Sequence, residues 1–223
     1  MLFIKSLYNW FLDSLFPISL PEKELFSYSP EKAWGILPGA TTPPFEDTFS
    51  IFAYKDPRVK NLVWNIKYKK SREAVAIGGY ALCRMLQTEI GISNKDARAM
   101  MIIPMPITPR RLRERGFNQC DLLADEVAKL DSKHQFMIEK NLLARVHHDS
   151  RQTLKSRGER LLSAKGIFAV NENFIEGLRI ERLKDYSLIV IDDVITTGST
   201  MKEAMETLRK AGFTNVTGLS LAH

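Results

Sequence analysis

The sequence predicts an α/β protein in which helices flank a parallel sheet. In the last third of the chain, an apolar run over 187–191, a helical pattern over 201–210 and a second apolar run over 216–221 follow one another. A strand, a helix and a strand in this order form a βαβ unit, which joins parallel strands. A short apolar run over 100–103, closed by Pro104, predicts a further buried strand. From the usual size of sheets we expect about five strands.

Residues 1–16 predict a helix that is apolar on most of its surface and ends before Pro17. Lys5, Asn9 and Asp13 interrupt the apolar sequence every four residues, and no small-residue cleavage site follows. We therefore expect neither a signal peptide nor a membrane span. We expect the protein to be cytoplasmic. The apolar faces of this helix must be buried, and we expect them to pack against the chain's own domain. The alternative is that they dock on a membrane surface or on a partner protein.

Residues 17–48 hold six of the ten prolines in the chain, which predicts an irregular segment. We therefore divide the chain into an N-terminal appendage, residues 1–46, and one domain, residues 47–223. In the first half of that domain we predict a strand over 48–54, a helix opened by Pro57, and helices over 71–90 and 116–130.

Composition describes an ordinary globular chain with a moderate positive excess. Of its 223 residues, 44% are hydrophobic and 26% are charged, which excludes disordered, collagenous and coiled-coil classes. The net charge of +6 suits an anionic partner such as a nucleotide, a pyrophosphate or a nucleic acid, without choosing among them. Two cysteines, Cys83 and Cys120, are too few for a disulfide framework or a cysteine-rich zinc site. Cys120 lies on the apolar stripe of a predicted helix, so we interpret it as a core residue.

The segment that joins strand to helix in the βαβ unit combines acidic and hydroxyl residues. Asp192 and Asp193 end the strand, at the sheet edge where open α/β folds bind ligands. The loop that follows consists of Thr196, Thr197, Gly198, Ser199 and Thr200. Hydroxyls, exposed backbone N–H groups and a helix N-terminus together form a phosphate cradle. Carboxylates accept hydrogen bonds from vicinal hydroxyls, so this arrangement suits a sugar phosphate. An acidic pair alone would more often be a solvated loop or a helix cap.

Residues 188–200 resemble the signature of the type I phosphoribosyltransferases, which bind 5-phosphoribosyl-1-pyrophosphate. Within that superfamily the chain is most similar to the ComF group, known from DNA uptake during bacterial competence. The other segments that carry the resemblance are PMP at 104–106, RLRERGFNQ at 111–119, IKY at 66–68, and RQTL at 151–154 with Arg157 and Arg160. The resemblance covers about residues 47–223 and implies the type I phosphoribosyltransferase fold.

The resemblance also implies roles for individual residues. Asp192 and Asp193 would hold the ribose 2′- and 3′-hydroxyls, and the loop at 196–200 would hold the 5′-phosphate. The residues expected near the pyrophosphate are Met105, Arg111, Arg113, Arg115 and Arg151. Mg²⁺ would arrive through the ligand's oxygens and water, with the two aspartates as possible protein neighbours. A solvated helix start or a nucleic-acid surface remains an alternative for Arg110 and Arg111.

Two departures from the family pattern limit what the resemblance implies. ComF proteins usually carry a zinc ribbon after an N-terminal helix, but no cysteine follows Phe16 and Pro17 here. We therefore expect a degenerate zinc-ribbon region and no zinc. Purine-salvage members of the superfamily have an aspartate at the position of Thr196, so transfer to hypoxanthine or guanine is disfavoured.

Two functions follow as expectations. The first is binding of phosphoribosyl pyrophosphate, or another sugar phosphate, with Mg²⁺ and transfer of the phosphoribosyl group to an unidentified nitrogen acceptor. The second is a competence-related DNA-handling protein that uses the fold to bind a ligand or single-stranded DNA without catalysis, with a protein of the competence machinery as a possible partner. Two arginine-rich segments, 110–115 and 145–165, support either function, because pyrophosphate and DNA require the same cations.

Overall fold

The computed structural model describes residues 24–90, 99–146, 161–162, 166–177 and 185–223. Its strands are β1 (Thr48–Phe52), β2 (Ala99–Pro104), β3 (Phe136–Ile138), β4 (Leu143–Arg145), β5 (Leu161–Leu162), β6 (Phe168–Asn171), β7 (Tyr186–Val194) and β8 (Asn215–Ala222). Its α-helices are α1 (Pro30–Ile36), α2 (Pro57–Trp64), α3 (Arg72–Met85), α4 (Pro109–Arg115), α5 (Gln119–Leu130), α6 (Glu172–Gly177) and α7 (Ser199–Lys210). A π-helical turn continues α2 over Asn65–Lys69, and another continues α3 over Leu86–Ile90.

Within these residues, five strands form one sheet in the order β1-β8-β7-β2-β3. Every neighbouring pair in this sheet is parallel. The central strand β7 places Ile189 level with Ile102 of β2 and Thr217 of β8. A smaller antiparallel sheet has the order β4-β6-β5. The α/β class and the five-stranded parallel sheet confirm the fold predicted from the sequence, and they are compatible with a type I phosphoribosyltransferase fold.

Helices and loops cover both faces of the parallel sheet, which explains why its central strand is a continuous apolar run. Alternate residues of a strand face opposite sides. Ile189 and Ile191 pack in a core with α3 and α5, whereas Leu188 and Val190 pack in a second core with α7. Met205 and Leu208 of α7 are buried in that second core.

Part of the segment expected to be irregular is a helix that belongs to the core. Ser29 caps α1 by accepting a hydrogen bond from the backbone N–H of Lys32, and Pro30 occupies the first helical position, so both are ordinary helix-start signals. Ala33 of α1 is fully buried in the core that contains α3. The helix expected over 1–16 lies outside the described residues, and the division at residue 46 stays a prediction.

The helix predicted over 116–130 is shorter than expected at its start. Gly116 adopts a left-handed conformation (φ 81°) and ends α4, and Asn118 then caps α5 through its side chain. The segment at 116–118 is therefore a turn between two helices.

None of the described helices is long and apolar enough to cross a membrane.

Candidate functional site

The two aspartates at the carboxyl end of β7 face different surroundings. Asp192 Oδ1 accepts a hydrogen bond from the backbone N–H of Asp193 at 2.8 Å, and Asp193 Oδ1 accepts one from Val194 at 2.9 Å. Because consecutive strand residues point to opposite faces, one carboxylate lies on the side of α2 and the other beside the start of α5. The backbone of the strand end thus fixes both side chains.

Asp193 forms an ion pair with a lysine from the π turn after α2. Lys67 Nζ lies 3.0 Å from Asp193 Oδ2, and the side chain of Asp193 is only 4% exposed. Burial alone would lower the pKa of Lys67, but the carboxylates of Asp193 and Asp192 oppose burial and raise that pKa above its ordinary value. Lys67 is therefore a permanently charged cation inside the site.

Asp192 lies against the thiol of Cys120, whose Sγ is 3.5 Å from Asp192 Oδ1. Burial and the neighbouring Asp193 carboxylate raise the pKa of Asp192 to about 8. Burial, followed by the Asp192 carboxylate, raises the pKa of the Cys120 thiol well above its ordinary value. A fully buried thiol with a raised pKa is a poor nucleophile, which agrees with the interpretation of Cys120 as a core residue.

The loop after β7 leads directly into α7. Gly198 is left-handed (φ 78°) and stands at the N-cap of α7, and no side chain caps the first turn of that helix. The hydroxyls of Thr197 and Ser199 lie 3.1 Å apart. A first turn without a side-chain cap leaves N–H groups available to an anion, in keeping with the predicted phosphate cradle.

Asp192, Asp193 and the whole loop at 196–200 line one cleft of about 370 Å³. Its basic lining residues are Lys67, Arg111, Arg115 and Arg145. Burial and the nearby Arg111 guanidinium lower the pKa of Arg145 from its ordinary value. This crowding of cations would be relieved by an anion, so the cleft is suited to a phosphorylated ligand.

Hydrogen bonds from the α4–α5 turn hold the other wall of the cleft. The side-chain amide of Asn118 donates to the carbonyl of Met105 at 3.2 Å, and Arg115 donates to Gln119 Oε1 at 2.9 Å. The Arg115 guanidinium also lies 5.0 Å from the ring centre of Tyr68. The RGFNQ segment therefore fixes the backbone after β2 and orients one arginine.

The structure brings most of the sequence-predicted site residues together. Met105, Arg111 and Arg115 line the cleft with the acidic pair and the loop. Arg113 is exposed and does not line it, and Arg151 lies outside the described residues. The ligand roles assigned to all of these residues stay predictions.

Sequence reasoning missed Lys67, Tyr54, Gln119 and Arg145 as lining residues. Lys67 and Gln119 do lie in segments that carry the ComF resemblance, but the resemblance assigned them no role. Tyr54 follows β1, and no sequence pattern marks it. Arg145 ends β4 and is the first residue of the second arginine-rich segment of the sequence, but no site role was predicted for it.

The described residues do not form a cage for a resident metal ion. No group of three or more His, Cys, Asp or Glu side chains in the described ranges could hold one. Of the two carboxylates in the cleft, that of Asp193 is already paired with the Lys67 ammonium. Mg²⁺ usually binds one or two carboxylates together with phosphates and water, so here it would depend on oxygens brought by a ligand.

The Asp192→Asn variant is expected to gain stability relative to the wild type as the pH rises. The pKa of Asp192 is raised from its ordinary value of 3.8 to about 8, so between these values the folded state binds more protons than the unfolded state. This carboxyl therefore lowers stability progressively as the pH rises through that window. The variant lacks this loss. The free energy of unfolding of the variant, relative to that of the wild type, should increase by about 1 kcal/mol or more between pH 5 and pH 8. Urea unfolding of both proteins measures the shift, and a difference that is constant with pH would contradict it.

No protein-family model matches the chain. The chain is similar to several curated proteins. One is the DNA utilization protein YhgH of Salmonella typhimurium, which is 29% identical over 182 residues that cover 78% of this chain and 70% of the relative. Competence protein F of Haemophilus influenzae is 35% identical over 124 residues, or 54% of this chain and 49% of the relative. Competence protein ComFC of Bacillus subtilis is 37% identical over 112 residues, or 50% of this chain and 39% of the relative. The matches to the two competence proteins thus span about half of those relatives or less.

Proposed function

Since this chain is a homologue of the ComF-type competence proteins, we propose that it takes part in the handling of DNA and that its cleft binds a phosphorylated ribose. The names of its relatives, which refer to competence and to DNA utilization, support the first part. The second part is carried by one observation, the acidic pair and the hydroxyl loop that line one cationic cleft.

The charges of the cleft favour a ligand with at least one phosphate. Lys67, Arg111, Arg115 and Arg145 outnumber the two carboxylates, of which Asp193 is paired with Lys67. Phosphoribosyl pyrophosphate combines vicinal hydroxyls, a 5′-phosphate and a pyrophosphate. It would therefore use the carboxylate of Asp192, the loop before α7 and the arginines together.

An aromatic and basic surface that continues from the cleft, whose lining includes Tyr68 and Arg115, supports single-stranded DNA as a partner. Tyr68 is 47% exposed, and its ring centre lies 5.8 Å from that of Trp64. Arg115 lies over the Tyr68 ring, and Lys69 Nζ lies 4.8 Å from the centre of the Trp64 ring. An exposed tyrosine ring with nearby cations suits bases that stack and phosphates that need neutralising.

Phosphoribosyl transfer is a second candidate, supported by the arginines in the same cleft. The bond from ribose C1 to the pyrophosphate oxygen would break, and pyrophosphate would leave with the electron pair. A nitrogen of the acceptor would bond to C1 and release its proton to solvent. Positioning of the ribose and neutralisation of pyrophosphate by Arg111 and Arg115 would supply most of the rate. Pyrophosphate release in the presence of candidate bases would distinguish this enzyme from a binding protein.

We expect the wild type to bind a fluorescent oligothymidine with an affinity that falls steeply as salt is added, and Tyr68→Ala to weaken that binding about tenfold. Fluorescence anisotropy measures both effects. Tyr28→Ala is the matched control, because it removes a tyrosine that pairs with Lys32 and does not line the cleft. If the wild type fails to bind the oligonucleotide at low salt, single-stranded DNA is not a ligand of this protein. Equal losses in the two variants would remove Tyr68 from the DNA surface.

A further inference from the structure

The two carboxylates of the acidic pair are not equivalent, because Oδ1 of Asp193 accepts a backbone hydrogen bond and its buried Oδ2 is ion-paired with a lysine. Oδ1 accepts the backbone N–H of Val194 at 2.9 Å, and Oδ2 lies 3.0 Å from Lys67 Nζ. The side chain is 4% exposed. Asp193 is therefore poorly placed to reach a ligand directly, and its principal partner in the cleft is the ammonium group of Lys67.

The carboxylate of Asp192 is more accessible to a ligand in the cleft than that of Asp193. Its Oδ1 takes the backbone N–H of Asp193 and lies near the Cys120 thiol, and the residue as a whole is partly exposed in the cleft lining. Among the described residues it forms no ion pair, whereas Asp193 pairs with Lys67. A ribose that enters the cleft would therefore meet the carboxylate of Asp192 and the ammonium of Lys67.

The position of Lys67 is fixed by the unusual end of α2. The turn from Asn65 to Lys69 is π-helical, and Lys70 ends it in a left-handed conformation (φ 53°). The Asn65 side-chain amide donates to the Asn61 carbonyl at 2.9 Å and to Asn61 Oδ1 at 2.7 Å. Single π turns inside α-helices are frequent at functional sites. Here the turn holds the lysine that reaches the end of β7.

We propose that Lys67 is the resident cation of this cleft: Asp193 orients it, its ammonium binds the phosphorylated ligand, and the ligand consequently needs little help from Mg²⁺. The proposal rests on the proposed binding of a phosphorylated ribose. A divalent ion placed beside Asp193 would be repelled by an ammonium 3.0 Å from that carboxylate. Mg²⁺ also dehydrates reluctantly and needs oxygen ligands, which an ion-paired carboxylate supplies poorly.

Calorimetric titration of ribose 5-phosphate tests this proposal, because this ligand lacks the chelating pyrophosphate. We expect wild-type affinity to differ by less than about threefold between excess EDTA and excess Mg²⁺. Lys67→Met should bind about tenfold more weakly in EDTA and recover part of the loss in Mg²⁺, whereas Lys67→Arg should retain most of the affinity. A wild type that binds only with Mg²⁺, or a Lys67→Met variant that matches it in EDTA, would overturn the proposal.

A double-mutant cycle separates an orienting role of Asp193 from direct contact with the ribose. If Asp193 acts through Lys67, Asp193→Asn should weaken binding in the wild type but have no further effect in Lys67→Met. An equal loss in both backgrounds would assign Asp193 to the ligand itself and reject its orienting role.

Titration with Mg²⁺ alone gives a result that does not depend on any sugar phosphate. We expect Lys67→Met to gain measurable Mg²⁺ affinity, and the wild type and Lys67→Met/Asp193→Asn to have none. If the wild type binds no ribose 5-phosphate, the proposed ligand class is wrong, and the Mg²⁺ titration still tests whether Lys67 excludes the metal. If the wild type binds Mg²⁺, the proposed role of Lys67 is wrong, but the proposed ligand class is unaffected. Equal cooperativity of urea unfolding verifies that each variant is folded.

Discussion

Replacing both Asp192 and Asp193 with asparagine is expected to weaken the binding of ribose 5-phosphate and phosphoribosyl pyrophosphate at least about hundredfold. Hydrogen bonds that involve a charged group contribute about 1.5–3 kcal/mol each. Above pH 8, where Asp192 is ionised, the double variant removes the carboxylate proposed to face the ribose hydroxyls and the one proposed to orient Lys67. Isothermal titration calorimetry on the wild type and the variant measures the loss directly.

The same change of charge outside the cleft provides the control. Asp47 pairs with Arg209 at 2.7 Å, Asp125 pairs with Lys140 at 2.5 Å, and neither aspartate lines the cleft. The Asp47→Asn/Asp125→Asn variant should bind both ligands with nearly wild-type affinity. If the cleft variant retains affinity within about threefold of the wild type, the acidic pair does not bind these ligands.

Replacing Gly198 with alanine should destabilise the protein by about 2–4 kcal/mol and remove most of the ligand affinity. Gly198 has a φ of 78°, and an added Cβ would lie 2.7 Å from two ring carbons of Phe45. The methyl group therefore adds left-handed strain and forces the Phe45 ring or the loop to move. Urea unfolding measures the loss of stability, and calorimetry measures the loss of affinity.

Gly116 is the matched control for this experiment. Its φ of 81° is nearly the same, but nothing lies within 4 Å of an added Cβ. Gly116→Ala should therefore carry the backbone strain alone, about 1–2 kcal/mol. The difference between the two variants isolates the contact with Phe45. Equal destabilisation would show that Phe45 does not restrict this loop.

The local part of the fold and of the site could be predicted from the sequence. The apolar run of β7, the helical pattern of α7 and the acidic and hydroxyl residues between them are contiguous, so periodicity and loop chemistry were sufficient. The same holds for β2, because an apolar run closed by a proline is a local signal. Helix α1 was missed although Ser29 and Pro30 are start signals, because the surrounding prolines and the short helix gave no periodicity.

Contacts between distant segments could not be predicted, and they decide how the site is arranged. The sequence by itself determined that Asp192, Asp193 and the loop at 196–200 form one strand-to-helix connection. Only the tertiary structure placed Lys67 on Asp193 and Phe45 against Gly198. The physical reason is that local pattern encodes which face of an element is buried, whereas the partner on that face depends on strand order and on the exact end of a helix. A single π turn after α2 was enough to bring a cation to the end of β7.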